Sequence, residues 1–250
     1  AIVLAVVLTY PYAWQLGSAG RVDSGDGQFA IWNTAWVART IVVDPVNVFN
    51  ANIFHPHRGT LAFSEANLGA GIMAAPVYWL SGGNPYAAHN SVLLLSFVLA
   101  AVGTYYLTRH LAGSRAAAAV AGVLFAYCPY IFARTAHVQL LLTAGLPFSM
   151  LAFHRLVERH TAGRAVVVGA TLGAQGLSCG YYGYFAGLMV GIGVIYYAVV
   201  RRLGTQPRYW ATVGVAAVIA LGIVVPFLLP YLALQADGAL LNVGHWCASP

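Results

Sequence analysis

Residues 21–36, RVDSGDGQFAIWNTAW, set two carboxylates, Asp23 and Asp26, beside Gly25 and Gly27 in a chain with only 6 acidic residues among 250. A carboxylate on an accessible segment can take the proton of a hydroxyl nucleophile. Glycine on either side permits a tight backbone and the close approach of another molecule. The same residues suit a structural role, because Ser24 or Asp26 can cap a helix starting near Gln28, worth about 1 kcal/mol. A helix N-terminus favours the ionised carboxylate, which makes Asp26 a ready acceptor but a weak base.

Other chemistry-bearing residues are few. In YIFARTAHVQLLL, residues 130–142, Arg134, His137 and Gln139 share a very short turn between two apolar segments. An arginine inserted at membrane depth costs about 2–3 kcal/mol, so Arg134 calls for an anionic partner such as a phosphate, or snorkels to lipid headgroups. Glu65 joins Arg134, His137 and Gln139 as a substrate-binding residue. The HPH of His55 and His57 offers two metal ligands without a third at a suitable spacing, and reads as loop. Tyr181, Tyr182 and Tyr184 in CGYYGYF fit an interfacial aromatic belt, with Tyr182 a sugar-stacking residue in the functional reading. His89 and Asn90, after the Asn84-Pro85 helix start, read as interfacial polar residues. Cys128, Cys179 and Cys247 are odd in number and far apart, indicating neither a disulfide framework nor a zinc site.

The elements that must position these groups follow from composition. Hydrophobic residues make up 60% of the chain, charged ones 7%, and the mean hydropathy is +0.74, beyond what a soluble surface tolerates. This composition predicts an integral membrane protein. All 12 basic residues are arginines without a Lys/Arg run, so the net charge of +6 does not point to nucleic acid. A helix needs about 20 apolar residues to cross a bilayer core. Such windows recur at 1–16, 88–108, 116–133, 138–156, 165–180, 183–200 and 209–232, predicting an all-α bundle of about seven spans. Arg109 and Arg115, then Arg155, Arg159 and Arg164, then Arg201, Arg202 and Arg208 fall in three loops separated by two spans each. By the positive-inside rule these loops face the cytoplasm. Asp23, Asp26, Asp44, Glu65 and Asp237 then fall outside, with Glu158 among the inner arginines.

Residues 17–87 form one long outer segment. Phe29, Trp32 and Trp36 repeat at i, i+3 and i+7, as in an interfacial amphipathic helix. LGAGIMAAPVYWL, residues 68–80, is too short to span and reads as a second helix lying on or dipping into the outer face. Residues 44–59, rich in Asn, Pro and His, read as loop. The chain begins inside an apolar run and ends at Pro250 without a terminal signature, so a piece of a longer polypeptide is expected, with 233–250 opening another outer segment.

This order of parts, one span, an acidic motif opening the outer loop, two surface helices, then GGNPYAAHN leading into YYLTRHLAGSRAAAAVAGVLFAYCPY, resembles the N-terminal module of the GT-C superfamily of membrane glycosyltransferases. Protein O-mannosyltransferases, aminoarabinose transferases and RgtA-like enzymes are its relatives. The resemblance covers nearly the whole chain as one module, in layout more than in any invariant string. It implies a sugar donor on polyprenyl phosphate, a glycan, lipid or protein acceptor, and a site on the periplasmic or exterior side of the inner membrane. The aspartate that serves catalysis in that superfamily corresponds here to Asp26 or Asp23, with Asp26 favoured because the helix follows it directly. D-S-G-D-G replaces the Asp-Glu of the mannosyltransferase type, and Ala75 replaces one proline of the PPLYYWL pattern. The resemblance also allows a divalent cation, Mg²⁺ or Mn²⁺, on the aspartate pair, since some members need a metal and others do not. No Gly-rich phosphate loop follows a strand, as befits a lipid-linked donor. A transporter or flippase and a noncatalytic envelope scaffold are the competing expectations.

Overall fold

The computed structural model describes residues 1–20 and 25–236, and every regular element among them is a helix. In chain order these are α1 (Ile2–Leu8), α2 (Gly25–Val43), α3 (Leu68–Leu80), α4 (Pro85–Ala112), α5 (Arg115–Ala126), α6 (Pro129–Ala133), α7 (Val138–Leu141), α8 (Gly145–Glu158), α9 (Ala162–Ser178), α10 (Gly180–Val200) and α11 (Pro207–Ala236), with single 3-10 turns at Pro45–Asn47, Thr60–Phe63 and Leu203–Thr205. Five helical stretches are long and apolar enough to cross a membrane: Pro85–Ala112, Arg115–Ala133, Val138–Glu158, Gly180–Val200 and Pro207–Ala236.

The remaining two expected spans are shorter as helices. The window 1–16 is helical only to Leu8, after which residues 9–18 turn. The window 165–180 is α9, of 17 residues. α3 has 13 residues, about 20 Å of helix at 1.5 Å per residue, too little for a hydrocarbon core of about 30 Å. It is wedged between neighbours, because a side chain at Gly69 would strike Ser178 of α9 and one at Gly71 would strike Val37 of α2.

Between helices in lipid there is little hydrophobic drive, so association rests on close van der Waals packing, which small residues permit. Gly169, Gly173 and Gly176 recur on one face of α9. A Cβ at Gly169 would stand 2.6 Å from the Ala216 carbonyl oxygen, and one at Gly173 2.8 Å from Ile223 Cβ, both on α11. The two backbones therefore meet with almost nothing between them.

Two of the long stretches are interrupted. One breaks at Tyr127–Cys128, between α5 and α6, and the other at residues 142–144, between α7 and α8. Unpaired backbone groups are costly away from water. At the second break the Leu142 carbonyl accepts from Gln175 Nε2 at 2.9 Å, and Gln175 is buried in α9.

The two ends of the bundle differ in chemistry. At one end Glu158 of α8 lies 3.3 Å from His110 of α4 and 3.6 Å from Arg164 of α9. Arg208 of α11 donates to the His160 carbonyl at 2.8 Å, and Arg201 at the end of α10 lies over the Tyr197 ring at 5.0 Å. The three arginine-bearing loops are thus knitted together at a single end. The carboxylates Asp26 and Glu65 lie at the other.

Replacing Gly173 by leucine should separate α9 from α11 and cost about 1–3 kcal/mol, as overpacking does. The same change at Gly214, whose Cβ position meets nothing within 4 Å, should leave the melting temperature in detergent nearly unchanged.

Candidate functional site

Asp26 occupies the first turn of α2, which begins at Gly25 and not near Gln28. The carboxylate therefore sits beside the open backbone amides of that turn. The chain before it is anchored from α4: Asn90 Nδ2 donates to the Leu16 and Ala19 carbonyls at 2.9 and 2.8 Å, and Asn84 Nδ2 to that of Gly17 at 2.8 Å. Asp26 Oδ2 lies 3.4 Å from His137 Nε2. The Asp26 side chain is 72% exposed and that of His137 35%, so the pair is worth under about 1 kcal/mol and orients more than it stabilises.

Glu65 is held more tightly than Asp26. Its carbonyl accepts from Asn33 Nδ2 of α2 at 2.9 Å. Tyr231 of α11 grips both flanks: its hydroxyl accepts from the Ala66 amide at 3.0 Å and donates to the Ser64 carbonyl at 3.2 Å. Gln139 donates to the Glu65 carboxylate, while Oε2 is buried without a hydrogen-bond partner. Burial pushes the Glu65 carboxyl above the ordinary glutamate value, opposed by the Gln139 hydrogen bond and by nearby His137.

These side chains line one cavity of about 380 Å³, walled by Asp26 and Phe29 of α2, Ser64, Glu65 and Asn67 of the loop before α3, His137 and Gln139 around α7, and Tyr181 of α10. A second cavity of about 220 Å³ shares Glu65 and Asn67 and runs between α9 and α11 past Val224, Phe227 and Leu228. Glu65 therefore stands between a polar chamber and an apolar one.

Of the residues expected at the site, Asp26, Glu65, His137 and Gln139 come together. Asp23 lies outside the described residues. Arg134 is exposed and does not line the cavity; its guanidinium lies 5.4 Å over the Tyr130 ring, and its carbonyl accepts from the His137 amide at 2.9 Å. Tyr182 does not line the chamber; its hydroxyl donates to the Leu140 carbonyl at 3.4 Å and lies 3.5 Å from Tyr130 Oη. Tyr181 takes the wall position. His55 and His57 are exposed on the loop, and no group of three or more His, Cys, Asp or Glu among the described residues is placed to hold a metal ion.

Sequence reasoning missed Asn67 and Tyr231, and did not foresee that Asn90 is buried and holds the Leu16 and Ala19 carbonyls. Asn67 adopts a left-handed backbone with φ of 50° at the start of α3, a conformation asparagine tolerates better than most residues. That preference was the one local signal available for it.

Fold and site define a class: an all-helical protein with several helices able to cross a membrane and a carboxylate-lined chamber at one end of its bundle. Comparison with models of known families, with curated proteins and with solved structures finds no match for the chain.

A carboxyl that binds its proton more tightly in the folded state adds stability below its unfolded value, about 4.3, and loses it as pH rises through the raised value. The melting temperature of the native chain should therefore fall relative to that of Glu65→Gln as pH increases above about 4.3. Parallel thermal unfolding curves across pH 4–8 in one detergent check this; two parallel pH dependences would contradict it.

Proposed function

We propose that the protein is a membrane glycosyltransferase of GT-C type, moving a sugar from a polyprenyl-phosphate donor to an acceptor hydroxyl. The observation that carries this reading is the convergence of Asp26, His137, Glu65 and Gln139 on one cavity, at the end of the bundle opposite the arginine loops. Asp26 takes the acceptor's hydroxyl proton. The acceptor oxygen bonds to the anomeric carbon from the face opposite the phosphate, inverting that centre. The bond from that carbon to the phosphate oxygen breaks, and polyprenyl phosphate leaves with the electron pair.

His137, on the chamber wall beside Asp26, donates a hydrogen bond to the departing phosphate, while Arg134 stands outside that wall, over the Tyr130 ring. Asp23 holds Asp26 or the acceptor, and a divalent cation bound there would share that task. Glu65 and Gln139 bind sugar hydroxyls, and Tyr182 backs the wall on which Tyr181 stacks. In this reading the 17-residue α9 joins the five long stretches as a sixth span, the seven-residue α1 being too short as a helix to cross, with α2 and α3 in the outer loop, and the chamber opens on the periplasmic or exterior side of the inner membrane. The acceptor is a glycan, lipid or protein.

The interrupted helices at Tyr127–Cys128 and 142–144 favour one competing reading, a transporter or flippase for a lipid-linked or envelope substrate, since broken helices line transporter sites. Reconstituted vesicles separate the two, because a flippase moves the lipid-linked sugar across the bilayer with its glycosidic bond intact.

With a polyprenyl-phosphate sugar donor, Asp26→Asn should lower kcat by about 10²- to 10⁴-fold, the usual contribution of a positioned base. Full activity in both Asp26→Asn and Asp23→Asn would remove the catalytic assignment. A cysteine introduced at His57 should react with a membrane-impermeant thiol reagent from outside intact cells, and one at Gly163 only after the membrane is opened. The reverse pattern would place the chamber on the cytoplasmic side.

A further inference from the structure

The arginine end carries a feature that the proposed reaction does not use. A cavity of about 560 Å³ lies between α8 and α9, with Tyr106 of α4 at its edge. Its α8 wall is Phe148, Leu151, Ala152 and Arg155, spaced i, i+3, i+4 and i+7; its α9 wall runs from Gly163 and Arg164 through Val167 to Thr171. Each wall is one face of a helix. Seven residues separate Phe148 from Arg155, and seven separate Arg164 from Thr171, so the groove descends about 10 Å from a mouth of two arginines into apolar surface.

The charge at that mouth is not balanced from within. Glu158 is the sole acidic residue at this end among the described residues, and it is already shared between His110 and Arg164. Arg164 also donates to the Arg155 carbonyl, which fixes its position at the mouth. The Arg155 side chain is exposed and has no ion-pair partner among the described residues. A soluble anion would satisfy the guanidinium but leave the groove below it empty. A zwitterionic headgroup would bring its own ammonium to two arginines. An amphiphile with a net negative phosphate and an alkyl chain meets both requirements, as basic pockets between membrane helices do for acidic lipids.

We propose that this groove seats one anionic phospholipid, its phosphate between Arg155 and Arg164 and one acyl chain laid along Leu151, Val167 and Thr171 toward Phe148. Bound there, the lipid joins α8 to α9 beside the loop that connects them.

Native mass spectrometry of the purified chain in neutral detergent, with equimolar phosphatidylglycerol and phosphatidylcholine, tests it. One phosphatidylglycerol should be retained in about thirtyfold preference, the scale that two arginines near a membrane surface supply. Arg155→Gln should abolish the preference. Val167→Trp, which fills the groove and leaves both arginines in place, should abolish retention of either lipid. Arg115→Gln, at the same end but outside the groove, should behave as the unaltered chain. Equal retention of the two lipids, retention unchanged in Arg155→Gln or Val167→Trp, or displacement of the lipid by glycerol 3-phosphate alone would overturn the proposal.

Discussion

Keeping a carboxyl half out of water at the top of an apolar bundle is the constraint on which the rest of the site depends. Glu65 meets it through its main chain more than its side chain: Asn33 holds its carbonyl, and Tyr231 holds the residues on both sides. Those two contacts come from α2 and α11, helices nearly two hundred residues apart. The loop can be held in this way only if α9 stands close to α11 and α3 close to both α9 and α2, which is what the glycine contacts at 169, 173, 69 and 71 allow. Close packing of small residues and the position of one acid are thus a single problem. The exposed Asp26–His137 pair is a lesser structural matter.

Much of this was legible in the sequence, for a physical reason. A chain with so few charges must use each of them, so Asp26, Glu65, Arg134, His137 and Gln139 stood out against an apolar background, and four of the five line the same cavity. Long apolar runs located the long helices to within a few residues; the window 183–200, for instance, is α10 from Gly180 to Val200. The two interruptions were not legible. Pro129 stands just beyond the first, but the second has no proline or glycine before Gly145, and the group that satisfies its open carbonyl is Gln175, 33 residues away. Local pattern carries no record of such a partner. The Tyr181–Tyr182 exchange has a similar origin. Successive helical residues point about 100° apart, and α10 begins at Gly180, so the start of one helix decides which tyrosine faces the chamber.

The separation of charge between the ends of the bundle gives each end its own chemistry. Around Asp26 and Glu65 the residues are amide, imidazole and phenol, groups that hydrogen-bond hydroxyls. Around Glu158 they are guanidinium, held by carbonyls, by the single acid and by the Tyr197 ring. No chain of ionisable side chains among the described residues links the two; His154 of α8, paired with Tyr197 at 3.2 Å, belongs to the arginine end.

Gln175 faces a lone carbonyl from inside the bundle, and only the nitrogen of its amide can answer it. Hydrolysis of that amide would leave a carboxyl that can answer the carbonyl only by keeping its proton. Gln175 thus gives the broken helix a tie to its neighbour that pH does not govern, which glutamate, its nearest isostere, would not.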